Sequence, residues 1–128
     1  MGRPWTEHES WDLVEEASDV SGRDVGRLLL DADADELKYT RNAQLTTFVS
    51  SLMVLDAVER LGVEPSFCAG HSLGEYTALT ATGALGFDDG VRLVVERAEA
   101  MHEAGQNNPG TMSAILGLDD ELVEVACR

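Results

Sequence analysis

The residues of this chain best placed to do chemistry stand together in Gly70-His71-Ser72-Leu73-Gly74. A serine framed by glycines in G-x-S-x-G spacing, directly after the apolar run Phe67-Cys68-Ala69, marks a sharp strand-to-helix turn. Such a turn lifts the hydroxyl clear of the backbone for attack on an acyl carbon. The flanking glycines fit a turn that leaves little room for side chains and asks for backbone angles costly to other residues. Leu73 is expected to open a helix, placing Ser72 where amide N–H groups and the helix dipole favour a developing negative charge. The chemistry predicted is acyl transfer through serine.

A serine nucleophile needs a base within hydrogen-bonding reach. The three histidines are His8, His71 and His102. His71 precedes Ser72 directly, and neighbouring side chains on such a turn point apart. His102 falls near the end of an amphipathic helix and reads as a surface residue. His8 lies between Glu7 and Glu9 and reads as solvated. In G-x-S-x-G hydrolases the base comes late in the chain, and no histidine follows His102. The 128 residues therefore hold a nucleophile without an evident base. Arg97 stands on a separate predicted helix, where its planar guanidinium could bind a carboxylate through two parallel hydrogen bonds. Spacing alone favours a surface ion pair between Arg97 and a nearby glutamate.

The elements that must position these groups are mostly helical. Trp11, Leu13, Val14 and Ala17 recur at helical spacing between Trp5 and Val20, with Gly22 as the stop. A short helix is predicted from Val25 to Leu30. Asp31-Ala32-Asp33-Ala34-Asp35 alternates aspartates like a calcium loop but lacks the glycine and terminal glutamate of one, so it reads as a solvated turn. From Asn42 to Leu61, Leu45, Phe48, Val49, Leu52, Leu55, Val58 and Leu61 form a broad apolar face closed by Gly62. Pro65 leads a strand into the turn at Ser72, and a helix follows to about Thr82, ended by Gly83. Asp88 reads as the N-cap of a helix carrying Val91, Leu93, Val94, Ala98 and Met101. Met112 to Leu116 is predicted as a short buried strand, and Asp119 begins a last helix.

Composition narrows the function classes. A chain of 128 residues with 44% hydrophobic content supports one domain with a real core. No apolar run approaches the roughly 20 residues of a membrane helix, which predicts no membrane partner. The start, Met1-Gly2-Arg3-Pro4-Trp5, lacks the apolar core of a signal peptide, which predicts a cytoplasmic chain. Cys68 and Cys127 have no metal-like spacing and read as reduced, buried thiols; neither metal nor cofactor is expected. Against 24 acidic residues stand nine basic ones, Lys38 the sole lysine, for a net charge of −15. That balance argues against nucleic acid as a partner. It would suit a high-salt cytoplasm, where screening removes self-repulsion.

The stretch Gly70-His71-Ser72-Leu73-Gly74-Glu75-Tyr76 resembles the nucleophile motif of malonyl-CoA:acyl-carrier-protein transacylases and of the acyltransferase domains of polyketide synthases. Three further segments agree. Thr40-Arg41-Asn42-Ala43-Gln44 resembles the segment ending in a pocket glutamine, although Leu45 stands where a proline is usual. Arg92 through Met101 resembles the helix whose arginine holds the free carboxylate of the substrate. Pro109 through Leu118 resembles the run leaving the large subdomain for the small one.

This resemblance implies an α/β fold: residues 1–109 as a helix-rich part of an α/β-hydrolase-like large subdomain, and 110–128 as the start of a ferredoxin-like small subdomain. Most of the sheet would be missing. It implies a ping-pong transfer of malonyl from malonyl-CoA, through an ester on Ser72, to the phosphopantetheine thiol of acyl carrier protein. Leu73 would be an oxyanion donor; Arg97, Gln44 and His71 would line the substrate site, with Arg92 facing elsewhere. The family's Gly-Gln-Gly-Ser-Gln loop and its base histidine have no counterpart here. The chain is thus expected to be an internal fragment that folds poorly alone and transfers nothing. Two other readings compete: a serine esterase of the α/β-hydrolase class, and a non-catalytic truncated paralogue binding acyl carrier protein. The first lacks a late histidine, and the second sets an acidic chain against an acidic carrier.

Overall fold

In the computed structural model, residues 2–111 and 113–128 are described, and they form seven α-helices joined by turns. Two 3-10 turns, Arg3–Trp5 and Glu9–Trp11, lead into α1 (Asp12–Ser21), where Asp12 and Glu15 suit the positive end of the helix. Gly22 ends α1 in the left-handed region at φ 66°. The short α2 (Val25–Leu30) matches its predicted span; the Asp24 carboxylate accepts the Arg27 N–H at 2.8 Å.

The acidic turn after α2 departs from expectation. Asp33 caps a five-residue helix, α3 (Ala34–Lys38), by accepting the Glu36 N–H at 2.8 Å. Asp33 and Glu36 have the spacing of a capping box, a signal hidden among alternating aspartates. Arg27 reaches from α2 to pair with Glu36.

The long α4 (Thr40–Glu59) organises everything else. Its Leu45, Phe48, Val49, Leu52 and Met53 are buried against Val14 and Ala17 of α1, Val25 and Leu29 of α2, and Val91 and Val94 of α6 (Phe87–Asn107). The apolar face does not run the full predicted length, because Val58 and Leu61 lie exposed beyond the packed region. Against both α4 and α6 packs α5 (Leu73–Ala81), closed by Gly83 at φ 71°. Gly90 permits this junction: a Cβ there would stand 2.7 Å from Phe48 Cζ and 2.9 Å from Thr80 Oγ1. Asp88 lies inside the first turn of α6 rather than at its N-cap, which is Gly86. The helix starts earlier because Phe87 stacks on Phe48, ring centres 6.2 Å apart, while Asp88 pairs with Arg92. The last helix, α7 (Asp120–Ala126), begins as expected after Asp119.

Neither predicted strand is found among the described residues. Phe67 is 95% exposed and Leu116 is 91% exposed. Met112 lies outside the described residues; Ser113 to Leu116 are exposed. A strand exists through its ladder to another strand. The described residues beside 65–69 belong to helices α4 and α5, which offer no such ladder. Exposure also corrects the cysteines: both are free thiols, but Cys68 is half-buried on this open segment and Cys127 exposed after α7. No helix among the described residues is long and apolar enough to cross a membrane.

Polar contacts tie the helix ends together. The Ser10 hydroxyl donates to Asp56 at 2.7 Å, and Arg60 bridges Asp56 and Glu9. Hydrogen bonds from Arg60 and Ser10 hold the Asp56 carboxyl below its ordinary value of 3.8, against the opposing effect of burial. The unfolded chain therefore binds the extra proton first, so this stabilisation is present above pH 3.8 and is lost as pH falls below it. Glu16 runs the other way. Burial, then the neighbouring Asp88 carboxylate, raise its pKa above 4.5, and its contribution fades as pH rises through the raised value. Asp56→Asn is expected to cost no more than about 1 kcal/mol at neutral pH. It should also flatten the fall of the thermal midpoint below about pH 4 relative to the parent chain, as followed by circular dichroism.

Candidate active site

The turn before α5 carries the backbone signature of a nucleophile elbow. Ser72 has φ 56° and ψ −111°, the only non-glycine residue with positive φ among those described. That conformation is costly for a residue with a Cβ and is sustained by its surroundings. Gly70 shows how. A Cβ there would fall 1.9 Å from the backbone carbon and oxygen of Gly74 and 2.4 Å from the Glu75 nitrogen. The first turn of α5 thus packs directly on Gly70. Gly74 is different: a Cβ on it would meet nothing within 4 Å, so the turn needs only the first glycine for space. Gly70→Ala is expected to destabilise the chain by about 1–3 kcal/mol in urea unfolding, because backbone must move. Gly74→Ala, inside a helix, should be neutral or stabilising by up to about 1 kcal/mol.

The amides behind Ser72 are partly committed. Gly74 N–H donates to the His71 carbonyl at 2.9 Å, and Glu75 N–H to the Ser72 carbonyl at 3.2 Å. The Leu73 amide has no acceptor among the described residues, and the Ser72 hydroxyl does not cap the helix. Leu73 therefore holds a free donor at the positive end of α5.

Across from the elbow, α6 presents Arg97. Its Nη2 donates to Ser72 Oγ at 2.8 Å, and its Nη1 donates to Gln44 Oε1. The guanidinium carbon lies 5.8 Å from the centre of the Tyr76 ring, within cation–π range. Gln44, 6% exposed on α4, is held from its other end: Nε2 donates to Thr40 Oγ1 at 2.7 Å and to Met101 Sδ at 3.3 Å. Arg97 makes no ion pair among the described residues, contrary to what its spacing alone favours. Glu99 is taken by Arg41, and Arg92 pairs with Asp88 and Asp89 on the exposed face. The positive charge beside Ser72 thus has only neutral partners, which suits a site that receives an anion.

Arg97 opens onto a groove of about 550 Å³ whose walls include Tyr76, Leu93, Glu96 and Met101. A second groove, about 620 Å³, runs between α4 and α5 past Cys68, Gly70 and Leu73, and His71 lines this one. Three of the five predicted site residues, Ser72, Arg97 and Gln44, are joined by direct hydrogen bonds. Leu73 adjoins them. The His71 imidazole hydrogen-bonds none of them. His8 Nδ1 accepts the Ser10 N–H, and His102 is half-buried on α6; neither bonds Ser72. Sequence reasoning assigned no role to Thr40, Tyr76 or Met101. The available signal was helical spacing: Thr40 and Gln44, Ser72 and Tyr76, Arg97 and Met101 are each four residues apart.

The acyl transferase domain family matches residues 7–128. The malonyl CoA-acyl carrier protein transacylase of Bacillus subtilis strain 168 is 44% identical over 112 residues, covering 88% of this chain and 35% of its own length. Among solved structures, MCAT from Streptococcus pneumoniae aligns with a TM-score of 0.87 at 37% identity, covering 99% of this chain and 42% of that one. The complex PlMCAT:AntF, a type II PKS acyl-carrier protein with its malonyl-transacylase, aligns with a TM-score of 0.77 at 34% identity, over 92% of this chain and 38% of that one. The chain spans roughly two fifths of the length of the relatives it matches.

Proposed function

This chain belongs to the acyl transferase domain family, and on that premise we propose that it carries the nucleophile and the carboxylate-binding arginine of a malonyl transfer from malonyl-CoA to the phosphopantetheine thiol of acyl carrier protein. The observation that carries this reading is the uncompensated Arg97 guanidinium within hydrogen-bonding distance of Ser72 Oγ. In a malonyl thioester one methylene separates the reacting carbonyl carbon from the free carboxylate. An acyl group seated on Ser72 Oγ therefore has its carboxylate within reach of that same guanidinium. Acetyl-CoA has no such group, so the arrangement selects dicarboxylic acyl units.

In the proposed reaction Ser72 Oγ attacks the thioester carbonyl carbon and gives its proton to a base. The tetrahedral oxyanion is stabilised by the Leu73 amide. Its collapse breaks the carbon–sulfur bond, CoA leaves as the thiol, and malonyl remains as an ester on Ser72. The phosphopantetheine thiol then attacks that ester, gives up its proton, and restores the serine hydroxyl. Arg97 orients the acyl group throughout, and Gln44 orients Arg97. No histidine bonds Ser72 among the described residues, so the base is assigned to polypeptide outside these 128 residues.

Two preparations test the reading. Residues 1–128 alone are expected to give no transfer from malonyl-CoA to acyl carrier protein. The same residues replacing the matching segment of the Bacillus subtilis relative are expected to restore it. Efficient turnover by the isolated chain would overturn the assignment of the base. A folded but inert swap would overturn the malonyl reading itself.

A further inference from the structure

We propose that Thr40 is a positioning residue of this site: its hydroxyl fixes which way the Gln44 amide faces, and through Gln44 it holds the Arg97 guanidinium beside Ser72. The inference rests on the malonyl reading for its consequence but not for its geometry.

An amide has a donor end and an acceptor end of nearly equal size, so its neighbours decide its orientation. A guanidinium has only donors, and it faces Gln44 Oε1. The Nε2 end then needs acceptors, and the structure supplies two: Thr40 Oγ1 at 2.7 Å and the weaker thioether of Met101 at 3.3 Å. Thr40 opens α4 one turn before Gln44, so the contact is built into the helix itself. Gln44 is 6% exposed, and water is a poor substitute there. Without the hydroxyl, the buried Nε2 group keeps only the sulfur. The side chain then swings toward the groove to find water, carrying its carbonyl off Arg97. Arg97 Nη1, released, loses its fixed acceptor, and the guanidinium drifts from the geometry that would clasp a carboxylate beside Ser72.

Thr40→Val keeps the shape and removes the hydroxyl, while Thr40→Ser restores it. In nuclear magnetic resonance of the segment-swapped enzyme, the Gln44 side-chain NH₂ protons are expected to exchange slowly in the parent and the Thr40→Ser variant. In Thr40→Val they should exchange at least about tenfold faster, and the Arg97 Nε–H signal should shift. In a Gln44→Met background, Thr40→Val should leave the Arg97 signal unmoved. By calorimetric titration, malonyl-CoA affinity should fall about tenfold in Thr40→Val and recover in Thr40→Ser, with acetyl-CoA affinity unchanged. Unchanged Gln44 and Arg97 signals in Thr40→Val would overturn the proposal, as would changed signals with malonyl-CoA affinity intact. A parent segment-swapped enzyme that binds no malonyl-CoA would instead strike the malonyl reading, and the resonance data would still decide the role of Thr40.

Discussion

Replacing Arg97 with alanine in the segment-swapped enzyme is expected to lower kcat/KM for malonyl-CoA by about 10²–10³, with acetyl-CoA turnover unchanged or faster. The size follows from the setting. Among the described residues Arg97 has no ion pair to lose, so the substitution frees none of their carboxylates. What is left unpaired is the carboxylate of the substrate, and truncating one partner of a close charge pair costs about 2–5 kcal/mol. The selectivity for one substrate separates this role from a structural one, because a collapsed elbow would lower both substrates alike. Arg97→Lys should recover little. One ammonium cannot donate to Gln44 Oε1 and also clasp a carboxylate through two parallel hydrogen bonds. Equal losses for malonyl-CoA and acetyl-CoA would mean that Arg97 only braces the elbow.

Ser72→Ala in the same enzyme is expected to lower transfer by about 10⁴-fold or more, the usual consequence of removing a nucleophile that forms a covalent intermediate. Stability should hardly change, since the hydroxyl caps no helix and its hydrogen-bond partner among the described residues is the side chain of Arg97. Ser72→Gly extends the argument. At φ 56° a residue without a Cβ escapes the left-handed cost, so this variant should be inactive yet more stable by about 1 kcal/mol. A serine kept in a strained position that glycine would relieve is retained for its hydroxyl. Loss of stability in Ser72→Gly, measured by urea unfolding, would remove that argument.

The helices were legible because each announces itself locally. Gly22 and Gly83 stop α1 and α5 where their positive φ was needed; of the residues their periodicity selected, α4 buries Leu45, Phe48, Val49 and Leu52 and α6 buries Val91, Val94 and Ala98, while Val58, Leu61, Leu93 and Met101 lie exposed. The short α3 was hidden because its cap, Asp33, sits among aspartates that read as a solvated turn. The strands were not borne out because strand formation depends on partners elsewhere, which no local pattern at Phe67 or Ile115 can reveal. At the site, Ser72 was legible from its motif, since the elbow is a local turn. The contacts joining Gln44, Arg97 and Ser72 link α4, α6 and the elbow, and spacing alone favoured an ordinary ion pair for Arg97. Thr40 and Tyr76 went unassigned because each touches the site through another side chain, Thr40 through Gln44 and Tyr76 through Arg97.

The proposed transfer turns on one covalent bond. The segment-swapped enzyme, mixed with malonyl-CoA, quenched before acyl carrier protein is added, and digested for mass spectrometry, is expected to carry one malonyl ester, on the peptide holding Ser72. The ester should disappear when acyl carrier protein is added before the quench. An active enzyme whose malonyl group sits on another residue, or that transfers without any ester at Ser72, would contradict the account.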